Sequence, residues 1–512
     1  MNTSKPRFFL ILLLLALFNY FFWQEKPGIN VVLFNSLLIA SLVYFGQKRF
    51  DTLALKTSLS LTIITGIMLV VYNTDISFRA HFISFFILVG FLHRKQLSTV
   101  SGSLFQYGLN YMMTTFEPFK MISQTISSLS DRNTHLKRLH KTLSIILIPL
   151  LVFSVFVLIF KFANPVFGDI LNNSFANLFQ VLDSFFQLFS PVRLWFLAIG
   201  AFFIFSVLFS WERASNLHRI SPKSDTVKPT ENLDEAKVET EYKTALILIC
   251  AVNALLLLIN IIDIRYLWFN IGTDLKSAYE LSKLVHEGTY LLILSIVLSI
   301  GILLYYFRKD LNFFKNNKWL VITAYVWIIQ NGILVISVLL RNYEYIANYG
   351  LTHKRIGVAV FLLLTTIGLV MLWLKIKYLY SFFNLFRQAG WALYFVIACL
   401  TLFDWDSMIA RYNLSTQNVQ NLDYRYLYGL SERTLPILYE NREKIAQRIK
   451  YLHSQSPEIE SAQVNVLYSK IKWYLNDQQH YNWVSWDYSN SKAVSYLKDK
   501  SIQPSTSSVQ NR

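Results

Sequence analysis

Charged residues gather where long apolar runs of this 512-residue chain begin or end. Carboxylates near arginine and histidine are the groups that proton transfer, metal binding or ion pairing requires. Asp263 and Arg265 end one run, and Asp404 and Asp406 follow the last one. The whole set of such positions is Asp263, Arg265, His286, Glu287, Arg341, His353, Arg355, Asp404, Asp406 and Arg411.

We interpret this set as ion pairs at a membrane boundary that dock a C-terminal segment or a partner, with ligand binding and acid–base catalysis as alternatives. His286 and Glu287 are adjacent, so they cannot both face one point on a regular helix. The sequence has no His-x-x-x-His zinc motif, phosphate loop or nucleotide fingerprint. We therefore predict no metal, cofactor or catalytic residue. We expect an ion pair between residues 263–290 and 341–411, with Asp263 and Arg411 as first choice.

Uncharged polar residues lie at the centres of two apolar runs: Asn253 and Asn260 in one, Gln330 and Asn331 in the other. A polar group inside a bilayer must find a partner. Asn253 and Asn260 are seven residues apart and share a helix face. The spacing predicts hydrogen bonds between helices, with a transport pathway as the alternative.

The apolar runs that position these residues have the length of membrane-spanning helices. The chain is 54% hydrophobic and 15% charged, whereas soluble domains contain about 25% charged residues. We predict an all-α, polytopic transmembrane bundle of about eleven spans with a C-terminal extracytoplasmic helical domain. The candidate spans are 8–23, 29–46, 57–72, 76–92, 142–162, 191–210, 244–263, 289–307, 319–340, 356–374 and 388–403.

Lysine and arginine in the connections predict the orientation, because cytoplasmic loops carry an excess of both. With the N-terminus inside, the inner connections hold 25 such residues and the outer connections hold 7. An odd number of spans then places the C-terminus outside. The net charge of +17 is thereby assigned to cytoplasmic loops. We predict no nucleic-acid partner, but the lipid bilayer and an envelope protein or lipid-linked ligand.

Composition shifts divide the chain into five parts. We predict a six-span region at 1–210 with interfacial helices at 105–119 and 166–189, and a five-span region at 244–403. Between them lies a flexible cytoplasmic linker at 211–243, because residues 221–241 lack apolar periodicity and carry two prolines and many charges. Residues 404–500 form the extracytoplasmic helical domain, and 501–512 a disordered tail.

Several longer motifs resemble a known family. They include KTALILICAVNALLLLINIIDIRYLWF from residue 243, WIIQNGILVISVLLRNYEYI, DWDSMIARYNL, LDYRYLYGLSERTLPIL at 422–438 and WVSWDYSNSKA at 483–493. They resemble a family of bacterial polytopic membrane proteins known only as a domain of unknown function. Residues 1–240 match it only in their pattern of spans. The resemblance implies a multi-pass protein of the bacterial inner membrane and assigns no reaction, cofactor or site.

The function predicted from the sequence is that of a non-enzymatic envelope scaffold or binding protein with a charged cluster at its outer face. One alternative is a transporter or flippase, which an open polar cavity reaching Asn253 and Gln330 would favour. Another is a membrane enzyme acting on a lipid-linked envelope substrate. A cleft converging on Asp263, Glu287 and Asp404 would favour that reading.

Overall fold

The predicted all-α fold is confirmed. A computed structural model describes residues 4–46, 50–113, 153, 157, 164, 166, 191–209, 224–229, 235–269, 278–308, 310–419, 421–453 and 457–500. Within these residues the regular structure is helical, apart from an isolated antiparallel bridge between Thr226 and Tyr380. Helices are the expected elements here, because a helix satisfies its backbone polar groups internally in an apolar environment.

The N-terminal helices pack around a core of fully buried Leu14, Phe34, Leu38, Phe85 and Phe91. Thr52 and Thr74 begin two of the helices as N-caps, each accepting a hydrogen bond from a backbone amide three residues later. The helices are α1 (Ser4–Phe22), α2 (Ile29–Gly46), α3 (Leu53–Tyr72), α4 (Asp75–His93), α5 (Val100–Met113) and α6 (Pro191–Leu208).

A second group of helices packs around Leu320, Ala324, Trp327 and Leu362. It consists of α7 (Glu235–Asp263), α8 (Ala278–Tyr306), α9 (Lys318–Tyr349) and α10 (His353–Tyr378). Helix α7 continues into a π-helical turn, Ile264–Trp268. A π-helical turn adds a residue to the helix and changes the direction of the side chains around it.

Helix α11 (Phe382–Leu400) follows the second group in sequence but packs into the core of the first. Trp391 stacks on Phe91 with 5.6 Å between ring centroids. The Tyr394 hydroxyl donates to the Ser58 carbonyl over 3.4 Å. The last predicted span of region 244–403 therefore belongs structurally with region 1–210, which a boundary drawn from composition does not reveal.

Seven of the described helices are long and apolar enough to cross a membrane: α2, α3, α4, α7, α9, α10 and α11. Shorter apolar stretches at Phe8–Phe22, Val192–Leu208 and Leu291–Tyr306 coincide with three further predicted spans. The predicted span 142–162 and interfacial helix 166–189 fall almost entirely outside the described residues. Helix α5 covers most of the predicted interfacial helix 105–119. The total of eleven spans remains a prediction.

Within the predicted linker 211–243 the structure describes residues 224–229 and 235–243. Asp225 and Val227 form backbone hydrogen bonds of 2.8 Å with Ser381 and Leu379, respectively. Helix α7 begins at Glu235, and the exposed Glu239 and Lys243 form an i,i+4 ion pair of 2.8 Å. This first part of α7 is a polar helix without an apolar stripe, so its sequence resembles a linker. The domain boundaries remain predictions.

The C-terminal helices surround their own apolar core, which includes Ile409, Leu427, Ile449, Ile471 and Leu497. We call residues 404–500 the C-terminal unit. Its helices are α12 (Trp405–Thr416), α13 (Tyr424–Tyr428), α14 (Leu435–Glu440), α15 (Arg442–His453), α16 (Pro457–Asp477) and α17 (Tyr488–Asp499).

Candidate functional site

The C-terminal unit contacts the loop between α1 and α2 through charged and polar groups. Lys26 forms an ion pair of 2.5 Å with Asp477. Glu25 accepts hydrogen bonds from Asn482 and from the Ser485 hydroxyl. The backbone amide of Ile29 donates to the carbonyl of Trp486 over 2.9 Å. These contacts join residues more than 450 positions apart in the sequence.

A second contact lies at the turn between α3 and α4. The Arg433 Nη1 donates to the carbonyls of Tyr72, at 2.7 Å, and Asn73. The Asn73 side chain donates to Asp487 over 3.0 Å, and the Ser489 hydroxyl donates to a carbonyl in the last turn of α3. Arg433 thus uses one end of its guanidinium to cap a membrane helix from the C-terminal unit.

A third contact holds the turn between α9 and α10. Asn413 accepts from the amide of Leu351 at 2.6 Å and donates to its carbonyl at 2.9 Å. Gly350 has φ +79°, a conformation that glycine adopts without a side-chain clash. A Cβ at this glycine would lie 2.6 Å from the Asn413 Oδ1. The turn is therefore shaped to the surface of the C-terminal unit.

Asp406 lies where the second and third contacts meet. Its carboxylate is 2.8 Å from the His353 Nε2 and 3.7 Å from the Arg433 Nη2, and it accepts from the Ser431 amide over 3.2 Å. Burial raises the pKa of Asp406, but hydrogen bonds from His353 and Ser431 and the charge of Arg433 outweigh burial and lower the pKa to about 2. Asp406 is therefore ionised at neutral pH.

His353 links Asp406 to a tyrosine. Its Nδ1 lies 3.0 Å from the Tyr426 hydroxyl, and the His353 backbone amide donates to the same hydroxyl over 3.0 Å. Burial raises the pKa of Tyr426, so its phenol keeps its proton at neutral pH. The result is a continuous chain of hydrogen-bonding groups, Tyr426–His353–Asp406, across the boundary between α10 and the C-terminal unit.

The chain borders a cavity of about 700 Å³, which we call the junction cavity. Its walls come from the start of α4, the start of α10 and the C-terminal unit. The lining residues are Thr74, Asp75, Ile76, His353, Trp405, Asp406, Arg425, Tyr426, Gly429, Leu430, Ser431 and Arg433. Aromatic faces, an aspartate–histidine pair and two guanidinium groups thus surround one space, which suits a polar ligand of headgroup size.

Within the sequence-predicted charged set, the structure forms two separate pairs. One is His353 with Asp406 in the junction cavity. The other is Asp263 with Arg341, where both side chains are largely buried between α7 and α9. The predicted ion pair between 263–290 and 341–411 is therefore present, but the first choice of Arg411 as its partner is wrong. Arg411 is exposed on α12 and pairs with no carboxylate in the described part of the chain.

The remaining members of the charged set are dispersed. Arg355 donates to the carbonyls of Tyr349 and Gly350. Asp404 is the N-cap of α12 and accepts from the Ser407 amide and hydroxyl. Arg265 is exposed in the π-helical turn. His286 and Glu287 lie on α8, where the structure describes the backbone of these two residues and not their side chains.

The intramembrane polar residues bond to one another between α7 and α9. Asn253 donates to the Thr323 carbonyl over 2.9 Å and accepts from the Gln330 side chain over 3.2 Å. Asn260 donates to the Gln330 carbonyl over 3.1 Å. The predicted interhelical hydrogen bonds are present for these three residues, whereas Asn331 donates within α9 to Trp327.

Sequence reasoning missed Tyr426, Ser431 and Arg433. All three lie in the quoted motif LDYRYLYGLSERTLPIL, which carried the family resemblance without assigning a role to any residue in it. It also missed that Asp75, at the first turn of α4, borders the same cavity. Among the described residues, no group of three or more histidine, cysteine, aspartate or glutamate side chains is arranged to hold a metal ion.

Comparison with known proteins gives one match. The family model described as Domain of unknown function (DUF4153) matches residues 11–441. The match includes the N-terminal half, where the resemblance rested on the span pattern alone, and it ends before the motif at 483–493. No curated protein and no solved structure matches the chain.

Proposed function

This chain belongs to the family of Domain of unknown function DUF4153, and we propose that it is a non-enzymatic, membrane-embedded binding protein. Its C-terminal unit and membrane helices together form one ligand site, the junction cavity. Apolar helices mark it as a membrane protein. The proposal rests on the cavity of about 700 Å³ around Asp406, whose walls come from both the membrane helices and the C-terminal unit.

The contacts around the cavity support a fixed receptor. The C-terminal unit is held at three separate turns, by Lys26–Asp477, by Arg433 and by Asn413. Sites held on rigid elements bind with less loss of conformational entropy than mobile ones. A ligand that enters between these turns touches both the bundle and the C-terminal unit, as a scaffold that joins an envelope component to the membrane would require.

The proposal places the cavity on the extracytoplasmic side of a bacterial inner membrane. The supporting observation is the distribution of lysine and arginine, 25 in the predicted inner connections against 7 in the outer ones. Alkaline phosphatase fused after residue 420 should be active in a bacterial host, and the same fusion at residue 228 should be inactive. The reverse pattern would show that the cavity lies on the cytoplasmic side, and it would contradict an envelope ligand.

Ligand occupancy is tested by photo-crosslinking in cells. A photoreactive amino acid at Ile76, which lines the junction cavity, should yield a discrete added mass on the peptide that carries it. The same amino acid at Trp473, an exposed position on the C-terminal unit, is the matched control. Equal labelling at both positions, or no labelling at Ile76, would contradict a ligand in this cavity.

A second candidate function is an enzyme acting on a lipid-linked envelope substrate. The observation that favours it is the Tyr426–His353–Asp406 chain, since a hydroxyl, a histidine and an orienting carboxylate form the arrangement of an activated nucleophile. Tyr426→Phe removes the hydroxyl and keeps the ring. A variant that folds but fails to complement a deletion strain would favour the enzyme, and full complementation would favour the binding protein.

A further inference from the structure

A second cavity of about 570 Å³ adjoins the junction cavity and shares Arg425 and Tyr426 with it. It lies between the turn that joins α9 to α10 and the helices α13 and α15. Three arginines line it, Arg355, Arg425 and Arg448, together with one acidic residue, Asp423. We call it the arginine cavity.

None of these three arginines forms an ion pair with the described residues. Arg355 is held by two backbone carbonyls, Arg448 donates its Nε to the Leu422 carbonyl over 3.0 Å, and Arg425 donates its Nε to the Tyr424 hydroxyl over 3.3 Å. Each guanidinium also lies over a tyrosine ring, at 4.2 Å for Arg355, 5.6 Å for Arg448 and 5.9 Å for Arg425. Neutral partners orient the three groups without neutralising them.

The acidic residue does not balance this charge. The Asp423 carboxylate serves as the N-cap of α13 and accepts from the Tyr426 amide over 3.0 Å. Three arginines against one aspartate leave two positive charges in excess around one cavity. Like charges held together repel, so an anion that enters the cavity relieves that repulsion. Guanidinium groups bind the oxygens of phosphate in pairs.

We propose that the arginine cavity binds a phosphate or pyrophosphate group. The remaining polar wall includes Asn421, together with Asn413 and Gln417, whose side-chain amides also donate to the Leu351 and Ala347 carbonyls. The site goes beyond the proposed function, because Arg355 and Arg448 line only the arginine cavity and binding there does not require an occupant in the junction cavity. The group can belong to a lipid headgroup or to a soluble phosphate, and the two sources are distinguishable.

The test is calorimetric titration of the purified full chain in detergent with two probes, inorganic pyrophosphate and dioctanoyl phosphatidic acid. We expect saturable binding that weakens as salt is added. Arg448→Gln should weaken it about tenfold, the loss expected for one charge-assisted hydrogen bond. Arg442→Gln is the matched control, because Arg442 also donates to a carbonyl and lies over a tyrosine but does not line the cavity.

Binding of both probes supports a soluble phosphate group as occupant, and binding of the lipid alone supports a headgroup. Arg448→Lys keeps the charge and should keep the melting temperature, yet lose affinity because the planar fork is gone. The proposal is overturned if neither probe binds, or if Arg448→Gln and Arg442→Gln bind equally well. Such a failure leaves the junction cavity intact, and the crosslink at Ile76 then decides the proposed function separately.

Discussion

Asp406→Asn is the most direct perturbation of the junction between the C-terminal unit and the membrane helices. The Asp406 side chain is 16% exposed and faces His353 and an Arg433 side chain that is 9% exposed. The change removes the negative charge and keeps the size of the side chain, so the packing around position 406 should stay the same. What the variant loses is the favourable interaction of the carboxylate with its charged and hydrogen-bonding neighbours.

The magnitude follows from the pKa. The usual value is 3.8 and the folded value is about 2, and one pKa unit corresponds to about 1.4 kcal/mol. Ionised Asp406 thus stabilises the fold by roughly 2 kcal/mol at neutral pH. The variant also leaves the largely buried Arg433 without its carboxylate, which raises the cost. We expect a total loss of about 2–3 kcal/mol.

The sign of the pH dependence is fixed by the lowered pKa. The stabilisation is fully present above the unfolded value of 3.8 and is lost as the pH falls through about 2. Between pH 3.8 and about 2, the wild type should therefore lose the contribution of Asp406 to its free energy of unfolding. Asp406→Asn lacks that contribution at every pH, so its stability should fall less over the same range. At the low end of the window the two proteins should become equally stable.

The assay is thermal unfolding of the full chain in detergent, combined with the rate of tryptic release of the C-terminal unit. Asp75→Asn is the matched control: Asp75 borders the same cavity, but its side chain is 93% exposed and 3.8 Å from Arg79, so its loss should cost under about 0.5 kcal/mol. If Asp406→Asn melts like wild type at neutral pH, or if both lose stability equally in acid, the reasoning about Asp406 is wrong.

Three further perturbations test the described contacts. Asp263→Asn or Arg341→Gln should each destabilise the membrane helices by about 3–5 kcal/mol, because each leaves the other charge buried. Thermal unfolding of both single variants and the double variant tests this, and losses of stability that simply add in the double variant would refute the pair. Gly350→Ala should cost about 1–3 kcal/mol through its positive φ and its contact with Asn413, measured as faster tryptic release, whereas Gly357→Ala, whose Cβ meets nothing within 4 Å, should not. Gln330→Ala removes the bond to Asn253 and should cost about 0.6 kcal/mol; a loss of several kcal/mol in the same melt would assign Gln330 a larger role.

The sequence by itself determined the class of structure, because that information is local. Apolar runs of about twenty residues have the length of membrane-spanning helices, and most of the predicted spans coincide with described helices. Asn253 and Asn260 were correctly predicted to bond across a helix interface, since residues seven apart share a helix face. Contiguous sequence motifs also indicated the family, and the match over residues 11–441 confirms it.

Tertiary structure alone decided which charges meet. Asp263 pairs with Arg341 and not Arg411, because Arg341 lies on the helix packed against α7 whereas Arg411 is exposed on the C-terminal unit. Arg433 reaches Tyr72 across 361 positions of sequence, a separation at which helical periodicity carries no information. Periodicity indicates which face of a helix is apolar, but the partner of that face depends on the packing of all the helices together. The junction cavity is made from three such distant segments, and so it could be recognised only once they were brought together.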